Sequence, residues 1–215
     1  MNPLWNQIAG GTLSDAQLAQ LDKYLDLLIE KNKVLNLTRI SDRAEAEVKH
    51  VGDALTLLAH LPASTGGEGS VRGTIKLADV GTGGGILGIV IAIARPEIQV
   101  TLVDATRKKL DAVKIMAVEI GLTNIRTLHT RMEEIEEKFN VVTARAVAEM
   151  ETLLGWCERL IKRNGSLLAM KGPKVDEELA RLSARHRRQW KIDVREVDVA
   201  ELSGHRIVVA KVKQS

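Results

Sequence analysis

The sequence predicts an α/β fold: a doubly wound, mainly parallel sheet with helices on both faces, ending in an antiparallel hairpin and preceded by a helical cap. Three observations predict it. From residue 75 to about 188, short β-branched runs alternate with amphipathic stretches, and strand–helix repeats with right-handed crossovers build such a sheet. The alternation then stops, because Trp190–Val199 and Arg206–Lys213 are two strand-like runs joined only by the turn around Ser203 and Gly204, which is a hairpin signal. The first sixty residues, by contrast, are helical in pattern.

In chain order, Ser14 with Gln17 three places on forms a capping box, and Leu18, Leu21, Leu25 and Leu28 follow at helical spacing, which gives one apolar face for the core. A break at Asn36-Leu37-Thr38 precedes a second helical stretch from about Ala44 to His60, stopped by Pro62. Ser64-Thr65-Gly66-Gly67-Glu68-Gly69-Ser70 reads as a connector. The expected division is a cap over residues 1–65 and a core over 66–215, packed as one compact unit. Within the core the expected strands are Ile75–Val80, Val100–Asp104, Ile125–His129, Val141–Arg145 and Ser166–Met170. The expected helices are Ile86–Ala94, Thr106–Ile120, Ala148–Ile161 and Val175–Arg188.

Composition narrows the function. With 215 residues, one domain with a modest addition is expected. Net charge is only +3, so an anionic partner requires clustered basic residues and not a global field. The basic run Arg181, Arg185, His186, Arg187 and Arg188 is either a solvated face or such a cluster. Cys157 is the single cysteine, which excludes an intrachain disulfide and multi-cysteine metal sites, and it reads as a small buried hydrophobe. The five histidines show no metal-ligand spacing, so no metal is expected. No apolar run reaches the ~20 residues of a membrane span and no secretory leader is evident, so a cytoplasmic protein is expected, without a membrane partner.

The most informative segment runs from Asp79 through Gly81, Gly83, Gly84, Gly85 and Ile86 to Gly88, between an apolar strand and a helix. That is the context of a nucleotide-binding turn. Gly81 and Gly83 let a ligand lie against bare backbone, and Gly88 lets helix and strand approach. Two cofactors compete for such a turn. Asp104 ends the second strand, 19 residues after Gly85, where a carboxylate can accept both ribose hydroxyls; NAD and S-adenosylmethionine sites share that feature. Asp79 would repel a diphosphate but suits the cationic amino-acid end of S-adenosylmethionine, and with the terminal hairpin it favours the methyl donor. An NAD-dependent oxidoreductase and a non-catalytic RNA-binding assembly module on the same fold are the alternatives.

At these residues a resemblance becomes specific. The run DVGTGGGILGIVIAIARPEIQVTLVDATRKKL, then HTRMEE, FNVVTARAVAEMETLLGWC and LLAMKG, resembles the bacterial RsmG (GidB) family of small-subunit ribosomal RNA guanine-N7 methyltransferases. KNKVLNLTRI, and His50 with Asp53 in KHVGDAL, are similar to its helical leader, so the likeness spans roughly residues 20 to 213. It implies a Rossmann-like class I methyltransferase fold, S-adenosylmethionine as cofactor, and 16S rRNA or the small ribosomal subunit as partner, with no obligate protein partner. Cofactor contacts are implied at Gly81, Gly83, Ile86, Asp104, Met132, Glu133 and Arg145, to which the charge argument adds Asp79. Arg131, Lys171 and Arg206 would face RNA. Gly84 and Leu87 stand where the family often has proline, and His205-Arg206 reverses its commoner order. Guanine N7 has a lone pair and no proton, so positioning and charge placement suffice for its methylation. Arg145 and Lys171, at carboxyl ends of strands, are the expected catalytic donors to guanine O6.

Overall fold

The computed structural model describes residues 2–63 and 73–213. The expected connector at 64–70 and the expected boundary at 65/66 lie outside the described residues. Two short and long cap helices come first, α1 (Pro3–Ile8) and α2 (Asp15–Leu35). The capping box forms as expected: Ser14 Oγ accepts from Gln17 N–H, and Gln17 Oε1 accepts from Ser14 N–H at 2.9 Å. Asn36 ends α2 in the left-handed conformation (φ 48°), which asparagine tolerates better than most residues.

The second helical stretch is one rod with three kinds of turn. It runs through α3 (Arg43–Ala46), a π-helical segment (Glu47–Gly52), α4 (Asp53–Leu55) and a 3₁₀ turn (Thr56–His60). The wider π turn displaces His50 and Asp53 from regular α spacing, and such insertions gather at functional sites.

The core alternates β1 (Lys76–Val80), α5 (Ile86–Ala94), β2 (Gln99–Asp104), α6 (Arg107–Glu119), β3 (Ile125–His129), β4 (Phe139–Arg145), α7 (Met150–Leu160) and β5 (Ile161–Lys171). The expected helix Val175–Arg188 is two helices, α8 (Val175–Ala180) and α9 (Ala184–Gln189), because Ser183 caps a new start by accepting from His186 N–H. The chain ends in β6 (Trp190–Glu196) and β7 (Arg206–Val212), antiparallel with Glu196 opposite Arg206. Strand order is β3-β2-β1-β4-β5-β7-β6, parallel from β3 to β5. The order reverses between β1 and β4, and the crevice at the carboxyl ends of such strands is where ligands bind.

Period-two alternation divides the strands between two cores. Leu77, Val100, Leu102 and Val141 face α5, α6 and the cap helices; Ala78, Val80, Val103 and Val142 face α7 and the segment after β5. Eight of the nine α5 residues are buried, because this helix lies between the sheet and the cap and has no solvent side. Polar side chains of α2 close the ends of core helices: Gln17 Nε2 donates to the Ile93 and Ala94 carbonyls, and Gln20 Nε2 to Ile120. These bonds satisfy carbonyls that a helix terminus leaves unpaired.

Gly88 sets the distance between α5 and the sheet. A Cβ there would stand 2.1 Å from Leu102 Cδ2 and 3.1 Å from Asp79 Cβ. Gly88→Ala is therefore expected to cost about 1–3 kcal/mol by overpacking, read as a lower urea midpoint at unchanged slope. An unchanged midpoint would show that α5 lifts off the sheet without penalty.

Candidate functional site

A turn with three positive-φ glycines, Gly81, Gly83 and Gly85, needs external support to hold one shape. Asp79, at the carboxyl end of β1, supplies much of it. Its Oδ2 accepts from Thr82 Oγ1 at 2.6 Å and from Gly88 N–H at 3.0 Å, and its Oδ1 accepts from Thr143 Oγ1 on β4 at 3.0 Å. The carboxylate is buried, and burial pushes its pKa above the usual range against the opposing pull of those three donors. Asp79 borders the cavity described below, yet both oxygens already serve the fold. From the cap side, Tyr24 Oη donates to the Gly84 carbonyl at 3.0 Å, and burial pushes the phenol pKa up.

Gly81 also meets the loop after β4. A Cβ on it would lie 2.8 Å from Val147 Cγ2, so the backbone must stay bare for the β1 and β4 loops to close together. Beside Val147, Ala146 adopts φ 56°, a costly conformation for a residue with a Cβ.

Above the turn lies a cavity of about 1120 Å³, bordered by Gly81, Gly83, Ile86, Leu87 and Arg145 on the core side and by Asn36, Leu37, Thr38 and Arg39 on the cap side. Ile86 and Leu87 open α5, where N–H groups lack intrahelical acceptors and favour a polar or anionic ligand group. Asp104 ends β2 beside the turn; its Oδ2 accepts from Gly83 N–H at 2.9 Å and its Oδ1 from Thr106 N–H at 2.8 Å. Two of the roughly four acceptor positions of the carboxylate remain.

A second cavity of about 450 Å³ is bordered by Asp53, Arg145, Ala146, Val147, Met170, Lys171, Glu178 and His205. Arg145 and Ala146 thus form the wall common to both. The guanidinium is fixed from the cap: Nη1 donates to the Lys49 carbonyl at 2.9 Å and to Asp53 Oδ2 at 3.3 Å. Its Nη2 faces His50 Nδ1 at 3.3 Å. The same Nδ1 lies 3.1 Å from the Lys49 carbonyl, and His50 Nε2 is hydrogen-bonded to Thr38 Oγ1 at 2.7 Å. Asp53, only 1% exposed, also meets His205 Nδ1 at 3.0 Å through its other oxygen. A polar chain therefore runs Thr38–His50–Arg145–Asp53–His205, from the first cavity to the second. Burial, and then the Arg145 charge, push the His50 pKa down to about 4.

The remaining expected residues are placed unevenly. Lys171 borders the second cavity but its ammonium donates to Glu178 Oε2 at 2.6 Å and to the Ala148 carbonyl at 2.7 Å. Arg206 is spanned by Asp176 at 2.8 Å and Glu196 at 3.3 Å, so His205 is the member of that pair at the cavity. Arg131 is exposed ahead of a 3₁₀ turn (Met132–Glu134); Met132 is buried and Glu133 exposed, and none of the three borders either cavity. In the basic run, Arg181 and Arg185 pair with Glu177 and Glu158 while His186 is buried. Cys157 is buried, and burial pushes its thiol pKa up.

Sequence reasoning missed the support roles of Tyr24, Thr82 and Thr143. The single tyrosine standing on the leucine stripe was a signal, a polar tip on an apolar face. Among the described residues no group of His, Cys, Asp and Glu has the geometry for a metal ion.

Residues 17–206 match the family model described as GidB, rRNA small subunit methyltransferase G. A relative from Sorangium cellulosum named ribosomal RNA small subunit methyltransferase G is 40% identical over 179 residues, 81% of this chain and 72% of the relative. Relatives of the same name from Lactobacillus johnsonii and Neisseria meningitidis are 37% identical (95% of this chain, 87% of the relative) and 38% identical (80% and 79%). Among solved structures, the ribosomal protein L11 methylase of Lactobacillus delbrueckii subsp. bulgaricus superposes with TM-score 0.56 at 19% identity, over 77% of this chain and 80% of that one. That likeness concerns the fold, and it agrees with the Rossmann-like methyltransferase architecture.

His50 gives the site a pH signature. In the fold it stays neutral down to about pH 4, whereas an unfolded histidine takes its proton near 6.5. The unfolded chain therefore binds more protons between those values, and stability falls as pH drops through that window, by up to about 3 kcal/mol. Urea unfolding at pH 7 and pH 4.5 is expected to show a loss about 2 kcal/mol smaller in His50→Gln than in the wild type. Equal losses in both proteins would contradict the assignment.

Proposed function

The chain belongs to the GidB family of small-subunit rRNA methyltransferases, and from that premise we propose that it transfers the methyl group of S-adenosylmethionine to N7 of a guanine in 16S rRNA. The observation that carries the reading is the single arginine wall between two cavities at the switch point of the sheet. One cavity lies over a glycine turn and suits the donor; the other, on the β4–β5–β7 side, suits an acceptor base.

S-adenosylmethionine supplies an electrophilic methyl group when bound. The chain binds and orients it. Gly81, Gly83 and Ile86 offer backbone at the turn, Asp104 keeps acceptor positions for ribose hydroxyls, and the Met132-Glu133 segment is assigned to the adenine side. Asp79 serves the donor by holding the turn. On the acceptor side no base is needed, because N7 has no proton to lose. Arg145 holds the guanine in register through O6 as the base becomes cationic. Lys171 spends two ammonium protons on Ala148 and Glu178 and keeps the third for the base. Arg131 and Arg206 remain assigned to flanking RNA, and His205 joins the acceptor wall.

No described helix is long and apolar enough to cross a membrane. The substrate we propose is 16S rRNA or the small ribosomal subunit, in the cytoplasm.

Labelled methyl transfer to unmodified small subunits and to protein-free 16S RNA, with the modified base mapped, tests this reading. Label is expected at guanine N7, reduced about 10²-fold in kcat/KM by Arg145→Ala. Donor binding without label on either RNA would overturn it.

A further inference from the structure

The donor cavity carries more positive charge than its proposed ligand can use. Lys33, Arg39 and Lys109 all border it, and among the described residues none of their side chains has a hydrogen bond or ion pair. Other cations of the cap do: Lys31 meets Glu119, Arg43 meets Asp22, Asp26 and Glu47, and Lys49 meets Glu45. Arg145 is already matched by Asp53, and the one carboxylate in the wall, Asp79, is buried and accepts three hydrogen bonds from within the fold.

S-adenosylmethionine does not restore the balance. It bears two positive groups and one carboxylate, so its arrival adds net positive charge to a wall with three unmatched cations. The volume points the same way, since about 1120 Å³ exceeds the roughly 300–1,000 Å³ of a pocket built for one small ligand. The cations are also mounted on fixed backbone. Lys33 lies in the last turn of α2 and Lys109 in the first turns of α6. Between them, the loop of Arg39 is held by Asn32 Oδ1 accepting from Thr38 N–H at 2.9 Å and by the Thr38–His50 bond.

Resting on the function proposed above, we infer that Lys33, Arg39 and Lys109 form a phosphate grip, through which the cap clamps the RNA strand across the mouth of the donor cavity. Two lysine point charges and one arginine fork suit consecutive phosphates, and such contacts position a strand without reading its bases. The order of binding follows: RNA closes over a donor already in place.

The anion could instead be the carboxylate of the donor, and the test separates the two. Lys33→Gln, Arg39→Gln and Lys109→Gln are made singly and together in the full chain, with Lys33→Arg and Lys109→Arg as charge-keeping controls. S-adenosylmethionine affinity is measured by calorimetry. Binding of a 16S rRNA fragment is measured with S-adenosylhomocysteine present, across a salt series. The triple variant is expected to bind the donor within about 3-fold of the wild type but RNA at least 10-fold more weakly, with the slope of log K against log salt shallower by about 2–3. The arginine controls are expected to keep RNA affinity. Loss of donor affinity with an unchanged salt slope would overturn the grip in favour of the donor carboxylate, and no change in either would overturn it outright. A wild-type chain that binds this RNA without methylating it would count against the proposed function, while the grip is still judged on the binding slopes.

Discussion

A carboxylate taken out of water is costly unless hydrogen bonds replace its hydration, and the way Asp79 meets that demand organises the molecule. Its three donors come from the glycine turn, the first turns of α5 and the adjoining strand β4. Satisfying one buried group therefore fixes where β1 ends, where α5 begins and how β4 lies beside them. Gly88 follows from the same geometry, because its amide must reach Asp79 and no side chain fits between α5 and Leu102. The cap is tied to this point as well, through the bond from Tyr24 to Gly84 and the packing of Leu28 and Leu37 over the turn.

The second constraint is the location of Arg145. An arginine at the carboxyl end of a central strand projects into whatever lies above the sheet, and here the cap decides where. The π turn brings Lys49, His50 and Asp53 to the guanidinium from one side, and His205 approaches Asp53 from the hairpin. Cap, sheet and C-terminal hairpin thereby share one ionic chain. This explains why the cap cannot be treated as an appendage: its apolar residues and those of the sheet form a single continuous core.

Much of this was legible in the sequence. Periodicity located α5 and β3 to the residue, the capping box located the start of α2, and the glycine pattern located the turn. What escaped has physical reasons. Ser183 ended a helix that charge and periodicity alone would have continued, because a cap competes locally with propensity. The π turn has no compositional mark. Asp79 was read by its charge, as a group facing a cationic ligand, but its oxygens are taken by Thr82, Gly88 and Thr143, and the partners of a buried acid are set by tertiary packing. Lys171 and Arg206 have the same history: basic residues expected to face RNA, held by Glu178 and by Asp176 and Glu196. Lys33, Arg39 and Lys109, which border the donor cavity without a side-chain partner among the described residues, are cations that the family resemblance did not name.

The central claim is that a turn braced by a buried acid builds a site for a methyl donor and not for a dinucleotide. The most direct measurement is calorimetric titration of the full-length chain with S-adenosylmethionine and, separately, with NAD. Saturable one-to-one binding of S-adenosylmethionine, with NAD binding far weaker or absent, is the predicted result. Tighter binding of NAD would contradict it.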